Sequence, residues 1–395
     1  MSRRETSDVL VVGAGVVGAA AALAMARDGR QVTLVEAREP APWRSDTPDL
    51  RVYAFAPDNA ALLDGLGVWD AVRTARLQPY RRMTVWDAAG GDTLDFDADA
   101  FGRRELGWIV EHNLLVDRLW AALPAAGVRV VCPAQVVDLT QEEDHAVVEL
   151  DSGARLRTRL ALAADGGDSK LRTLAGIETF THDYGQDGLV AFVEHERPHE
   201  GTCWQRFLPG GPIAFLPFGG DGHRSSIVWT LPQEEAARLL AADDAGFLRE
   251  LQAAFAGTLG ALTAVSRRAS FPLRRQLAQQ HVAGRVAVIG DAAHVVHPLA
   301  GQGVNLGLRD VRALRERLQG TARDLPRDPG APAPLARWAR GRRSENALAA
   351  YSFDGLNRLF SNDALLPTLL RGHALGLVGR LAPLRHAFWK RAAGL

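Results

Sequence analysis

The chain has 395 residues, 47% hydrophobic and 23% charged, with 46 basic and 46 acidic residues in formal balance. That allows one large or two modest globular domains, and the zero net charge argues against a nucleic-acid partner. Cys132 and Cys203 stand far apart and in no Cys-x-x-Cys pair, which excludes a disulfide scaffold or a zinc ribbon and suits a reducing compartment. No apolar run reaches the roughly 18 residues of a membrane span, and no signal peptide is read, so a cytoplasmic location is expected.

Asp8–Val12 reads as a parallel strand buried on both faces. Gly13-Ala14-Gly15-Val16-Val17-Gly18 follows at once, then an alanine-rich helical run from Ala19 to Arg27, then a strand from Gln31 to Val35 ending in Glu36. This is GxGxxG between strand and helix, with an acid about twenty residues on, the arrangement of a dinucleotide site. Glu36 is expected to accept the adenosine ribose hydroxyls, and its carboxylate disfavours a 2′-phosphate, so FAD or NAD fits better than NADP. Leu160–Ala164 is a further strand-like run, closed by Asp165-Gly166 with Ser169 and Arg172 beyond.

Between these segments and beyond them the periodicity changes. Met83–Trp86 and the runs Leu189–Val193, Thr202–Leu208, Ile213–Phe218 and Ser225–Leu231 alternate and are broken by Gly/Pro clusters, which predicts an antiparallel sheet. Trp204 and Phe215 in those runs are candidate substrate contacts, with ordinary sheet core as the competing reading. Arg285–Ile289 is another buried strand. It leads into Gly290-Asp291, a Gly/Pro-rich loop, and a helix starting near Asn305. An acid at a strand's end and a helix N-terminus beyond it suit a sugar-like chain and a developing negative charge. Residues 322–334 read as a linker and Leu335–Phe360 as a helix. The tail from Pro367 carries Arg371, Arg380, Arg385, Lys390 and Arg391 and no acid. Such a tail suits an anionic membrane surface, a partner protein, or packing on its own domain. His294 and His297 are spaced suggestively, but no third ligand is near, so no metal is expected.

The order GxGxxG, Asp165-Gly166, Gly290-Asp291 resembles the class A FAD-dependent aromatic monooxygenases. The finer match is to the ubiquinone-biosynthesis hydroxylases, carried by Arg51–Pro57, Leu66–Asp70, Pro79–Met83, Val85–Asp87, Phe96–Ala98, Leu106–Glu111, Tyr184–Gln186, Gly211–Pro217, Phe271–Leu273 and Gly290–Asp310. Three departures stand out: His112 where that family usually has Asn, Gly167-Asp168 and Lys170 inside the second motif, and the tail after Ala382.

The resemblance implies an α/β fold: a Rossmann-like FAD-binding domain similar to p-hydroxybenzoate hydroxylase, an inserted antiparallel-sheet substrate domain, and a C-terminal helical region. The expected limits are 1–75, 105–180 and 275–325 for the first, 76–104 and 181–274 for the second, and 326–395 for the third. It also implies a reaction. NAD(P)H reduces FAD, O2 adds at flavin C4a, and the resulting hydroperoxide hydroxylates the ring of a polyprenyl phenol or quinol. The implied cofactor residues are Gly13, Gly15, Gly18, Glu36, Arg51, His112, Asp165, Gly166, Asp291, Gly301, Gly303, Val304 and Asn305. The last two offer backbone N–H groups to the reduced flavin. Pro298 is implied beside the flavin's reactive edge, and His297 is weighed as a proton relay against loop packing. A ubiquinone-biosynthesis complex and peripheral contact with the inner membrane through the basic tail are the partners implied. The alternatives are a related hydroxylase of a small soluble phenol and a non-catalytic flavoprotein scaffold.

Overall fold

The computed structural model describes residues 6–90, 92–296, 303–319 and 328–360, with side chains to residue 348. In chain order the elements begin with β1 (Thr6–Val12), α1 (Val16–Arg27), β2 (Val32–Val35), β3 (Val52–Phe55), α2 (Pro57–Gly65) and α3 (Trp69–Ala75). Then come β4 (Gln78–Tyr80), β5 (Arg82–Asp87), β6 (Leu94–Asp97), β7 (Gly107–Glu111), α4 (His112–Ala122), β8 (Arg129–Val131), β9 (Val136–Gln141), β10 (Ala146–Leu150), β11 (Arg155–Ala163) and α5 (Lys170–Leu174). Further on lie β12 (Thr179–His195), β13 (Thr202–Phe207), β14 (Ile213–Pro217), β15 (Arg224–Pro232), α6 (Gln233–Ala241), α7 (Asp244–Ala254), β16 (Leu262–Val265) and β17 (Ala269–Ala278). The chain closes with β18 (Val282–Ala283), β19 (Val286–Val288), β20 (His294–Val295), α8 (Gly303–Leu318) and α9 (Pro332–Phe360).

The first sheet has the order β18-β19-β11-β1-β2-β8, parallel from β19 to β8, with the β9–β10 hairpin added antiparallel to β11. Its central strand Val9–Val12 is buried on both faces, as a parallel strand must be when helices cover it. One face packs on α1, α4 and α8, whose apolar residues merge with Val9, Val11, Leu34 and Leu160 into one core. The other face buries Leu10, Val12, Ala161 and Val288 with Val148 and Leu171.

The second sheet runs β20-β17-β12-β15-β14-β13-β5-β6 and is almost wholly antiparallel; β13 and β5 pair in parallel. It reaches past residue 274, because β17 continues to Ala278 while pairing with Thr179–His182 of β12, and His294–Val295 adds at its edge. α6 and α7, which the alternating pattern around them did not announce, cover one face with Phe247, Leu251 and Phe255. The opposite face, with Val190, Phe192, Cys203 and Leu216, packs against Ala54, Tyr80 and Ile109. These belong to a small sheet, β3-β7-β4, that bridges the two large sheets, with Phe55 and Val110 in the first core and Ala54 and Ile109 against the second sheet. The helix expected near Asn305 begins at Gly303, and the one expected from Leu335 begins at Pro332. Among the described residues no helix is long and apolar enough to cross a membrane.

Candidate functional site

The glycine loop shows three separate reasons for glycine. Gly13 sits at φ +97°, and a Cβ there would lie 2.4 Å from the carbonyl oxygen of Ala164. At Gly18 a Cβ would lie 1.9 Å from the Gly13 carbonyl, so helix and strand are packed too closely for a side chain. Gly15 differs: its backbone is ordinary (φ −64°, ψ −177°), and a Cβ would meet nothing within 4 Å. Nothing among the described residues requires glycine there. The space it leaves belongs to a cavity of about 680 Å³, whose wall it forms at the N-terminus of α1. No side chain caps that helix, so its first amide groups are available to an anion.

The same cavity is lined by Glu36, Arg51, Tyr53, His112, Asp165, Gly166, Lys170, Asp291 and Val304. Strand ends β1, β2, β11 and β19 thus deliver their following loops to one place, as open parallel sheets do. Of the thirteen residues expected at the cofactor, nine line this cavity: Gly13, Gly15, Glu36, Arg51, His112, Asp165, Gly166, Asp291 and Val304; Gly18 does not line it but packs against Gly13 and so supports the loop. Glu36 also accepts the Ala14 N–H at 2.6 Å, so it braces the glycine loop while forming part of the wall.

The Asp165 carboxylate accepts from the Ser169 hydroxyl and from Leu171 N–H (3.2 Å), which holds the loop before α5. Arg172 donates to the carbonyls of Gly167 (2.8 Å) and Ala292 (3.0 Å), tying the second motif to the third. The guanidinium's burial lowers its pKa, and Asp165 and Asp168 oppose that. The Asn305 side chain is spent on structure. Its Oδ1 accepts from Ala56 N–H (3.0 Å) and Asn59 Nδ2 (2.9 Å), and its Nδ2 donates to Ala54 O (2.8 Å). The N-terminus of α8 is thereby locked onto β3 and α2, and what Asn305 offers a ligand is backbone. Gly303 opens α8 and lines the neighbouring cavity described next.

That second cavity, of about 590 Å³, shares Arg51, Tyr53, Asp291 and Val304 with the first. Its other walls are mainly apolar: Met83, Val190, Leu216, Val228, Phe271 and Leu273, with Cys203, Gln205 and Thr230 among them. Burial pushes the Cys203 thiol far up, so it is a neutral wall group. Phe215 is a correction: it is fully buried on the opposite face of the sheet, its ring stacked 3.7 Å from Phe255 under α7. Period-two alternation sends Ala214 and Leu216 to the cavity and Phe215 to the helices. Trp204 borders the cavity, but its ring packs edge-on to Trp86 at 6.2 Å on that same helical side.

Two features escaped the sequence reading. Tyr53 lies at the junction of the cavities, its hydroxyl 2.9 Å from His112 Nδ1. Asp310, fully buried, accepts from Gly290 N–H (3.0 Å), His294 Nε2 (2.6 Å), Arg342 Nε (2.7 Å) and Asn346 Nδ2 (3.2 Å). Burial would raise its pKa, but His294 and Arg342 outweigh that and hold it well below the usual carboxylate range. His294 is therefore committed to this carboxylate, which couples the Gly290 loop to α8 and α9. His297, Pro298 and Gly301, and the basic tail beyond Pro367, lie outside the described residues.

Comparison with known proteins agrees with this geometry. Residues 6–324 match the FAD binding domain family. The chain is 39% identical to the ubiquinone hydroxylase UbiL of Rhodospirillum rubrum, covering 100% of this chain and 91% of that protein. It is 37% identical to the 3-demethoxyubiquinol 3-hydroxylase of Escherichia coli, covering 99% of each. It is 33% identical to the human mitochondrial ubiquinone biosynthesis monooxygenase COQ6, covering 96% of this chain and 90% of that protein. Among solved structures, p-nitrophenol 4-monooxygenase PnpA from Pseudomonas putida DLL-E4 superimposes with a TM-score of 0.79 at 19% identity, covering 98% of each chain. Klebsiella pneumoniae HpxO, in complex with FAD and uric acid, does so with a TM-score of 0.73 at 19% identity, covering 98% of this chain and 96% of that one. At that level of identity the last two show the fold.

Proposed function

This chain belongs to the ubiquinone-biosynthesis hydroxylase family of FAD-dependent monooxygenases, and from that premise we propose the assignment of its two cavities. The first holds FAD and the second holds the aromatic head of a polyprenyl phenol or quinol, which is hydroxylated with NAD(P)H and O2. The observation that carries the reading is the junction. A cavity walled by strand-end loops, the α1 N-terminus and the charged residues Glu36, Asp165 and Lys170 opens, at Arg51, Tyr53, Asp291 and Val304, into a mainly apolar cavity of the size small-molecule sites have.

When bound, FAD supplies electron transfer from NAD(P)H and the activation of O2. The chain's own residues do the rest. The Gly15 loop and α1 would hold the pyrophosphate, and Glu36 would take the adenosine end. Asp291 would take the ribityl hydroxyls, and the first amides of α8 would stabilise the negative charge the flavin gains on reduction. Met83, Leu216, Val228 and Phe271 exclude water around the ring to be hydroxylated. An apolar wall of this kind supports an isoprenoid-bearing substrate over a small, soluble phenol. The basic tail from Pro367 would complement such a substrate by resting on an anionic membrane surface.

The test is complementation of bacterial strains each lacking one ubiquinone ring hydroxylase, with quinones read by mass spectrometry. Restored ubiquinone in one strain supports the reading and identifies the ring carbon. A flavin-loaded protein that restores none, yet turns over small phenols, overturns the substrate assignment.

A further inference from the structure

Tyr53 and His112 come together through the small bridging sheet. β3 pairs with β7 so that Tyr53 stands opposite Val110, and the His112 N–H donates to Arg51 O (2.9 Å), continuing the register. His112 is thus the diagonal neighbour of Tyr53 on the same face, within reach of a long aromatic side chain. The rings meet edge to face, 5.8 Å apart at 76°, with the phenol oxygen 2.9 Å from Nδ1.

The direction of that hydrogen bond follows from its surroundings. The Arg51 guanidinium lies over the face of the Tyr53 ring, 5.5 Å from its centre. A guanidinium only donates, so it offers the phenol hydrogen no acceptor. Tyr53 is buried, and its hydroxyl hydrogen needs an acceptor of its own; among the described residues His112 Nδ1 is the one in place. Burial first, and then the charge of Arg51, lower the His112 pKa to about 4 against the pull of Asp49. Near neutral pH the imidazole therefore carries one proton. With Nδ1 accepting, that proton is on Nε2. His112 itself forms part of the wall of the first cavity.

We propose that Tyr53 is a positioning residue that fixes His112 in its Nε2–H form, so that a single imidazole N–H faces the flavin. This rests on the first cavity being the FAD site. A donor fixed in a partly dry wall favours the form of the ligand with more negative charge, here the reduced flavin, and does so without bringing in a second cation beside Arg51.

The test uses full-length protein, wild type and the variants Tyr53→Phe, His112→Leu and His112→Asn. Selectively 15N-labelled histidine, assigned by the loss of a signal in His112→Asn, reports which ring nitrogen is protonated. The apoproteins are titrated with oxidised FAD, and midpoint potentials are measured by spectroelectrochemistry.

The wild type is expected to show His112 protonated on Nε2 from pH 5.5 to 8, and Tyr53→Phe to show a mixture of the two forms. His112→Leu should lose about tenfold in its preference for reduced over oxidised flavin, a fall of about 30 mV for a two-electron couple. His112→Asn, whose amide can donate, should recover most of it. Protonation on Nδ1 in the wild type overturns the proposal. So does an unchanged potential in His112→Leu and Tyr53→Phe, even where melting temperatures fall. Failure of wild-type apoprotein to bind FAD would instead overturn the cavity assignment.

Discussion

Gly15→Val separates ligand space from protein space. A Cβ at Gly15 meets no atom of the described residues within 4 Å, whereas one at Gly18 would lie 1.9 Å from a backbone oxygen. The Gly15 dihedrals are open to any residue. Removing glycine from the unfolded chain gains about 0.4–1 kcal/mol, and losing a favourable helix N-cap costs roughly 0.5–1 kcal/mol. The two nearly cancel, so the apoprotein should melt within a few degrees of wild type. The isopropyl group, however, stands in the cavity where the α1 amides meet a phosphate. Losing roughly two charged hydrogen bonds of about 1.5–3 kcal/mol each weakens FAD by about 3–6 kcal/mol, or roughly 10²- to 10⁴-fold. Flavin fluorescence titration of apoprotein, beside a thermal melt, reads both numbers. Gly18→Ala is the control that should fail to fold. A folded Gly15→Val protein that binds FAD as tightly as wild type would refute the reasoning. So would one that does not fold, since no protein contact would account for it.

Four further outcomes follow from the same geometry. Asp291→Ala should weaken FAD by about 1–3 kcal/mol through lost charged hydrogen bonds, and unchanged affinity in the same titration would move the ribityl chain elsewhere. Ala214→Trp fills the second cavity from a wall position and should raise the substrate KM at least tenfold while leaving FAD stoichiometry intact, as steady-state kinetics and flavin absorbance would show. Arg342→Met leaves Asp310 buried and short of its cation, which should cost about 3–5 kcal/mol in denaturant unfolding. Finally, burial first lowers the pKa of both His199 and His281 to about 4, so the folded state resists their protonation. The unfolded chain binds those protons from about pH 6.5 downward. The stability these residues contribute is therefore fully present above pH 6.5 and is lost as pH falls to 4. Urea midpoints taken across that range should decline, and His199→Phe should decline less.

What was legible in the sequence is what is local. Gly13, Gly15, Gly18 and Glu36 announce themselves because strand, turn and helix follow one another within thirty residues. Asp165 and Asp291 are readable for the same reason, each closing an apolar strand. Phe215 was misplaced because alternation assigns two faces to a strand without saying which one meets a cavity and which one meets α7. The Asp310 hub was invisible because its partners at 290, 294, 342 and 346 converge only through packing of α8 and α9. Tyr53 could not be paired with His112 without the register of β3 on β7, which no turn between them fixes.

The most direct test of the central claim is one turnover experiment with isotopic oxygen. Purified, FAD-loaded protein is given a demethoxyubiquinol-type substrate bearing an isoprenoid chain, NADH or NADPH, and 18O2. The account predicts flavin bleaching by the nicotinamide, faster with the substrate present, and a ring-hydroxylated product heavier by one 18O atom. Bleaching and peroxide release without label in the ring, across all ring-substitution variants of that substrate, would contradict it.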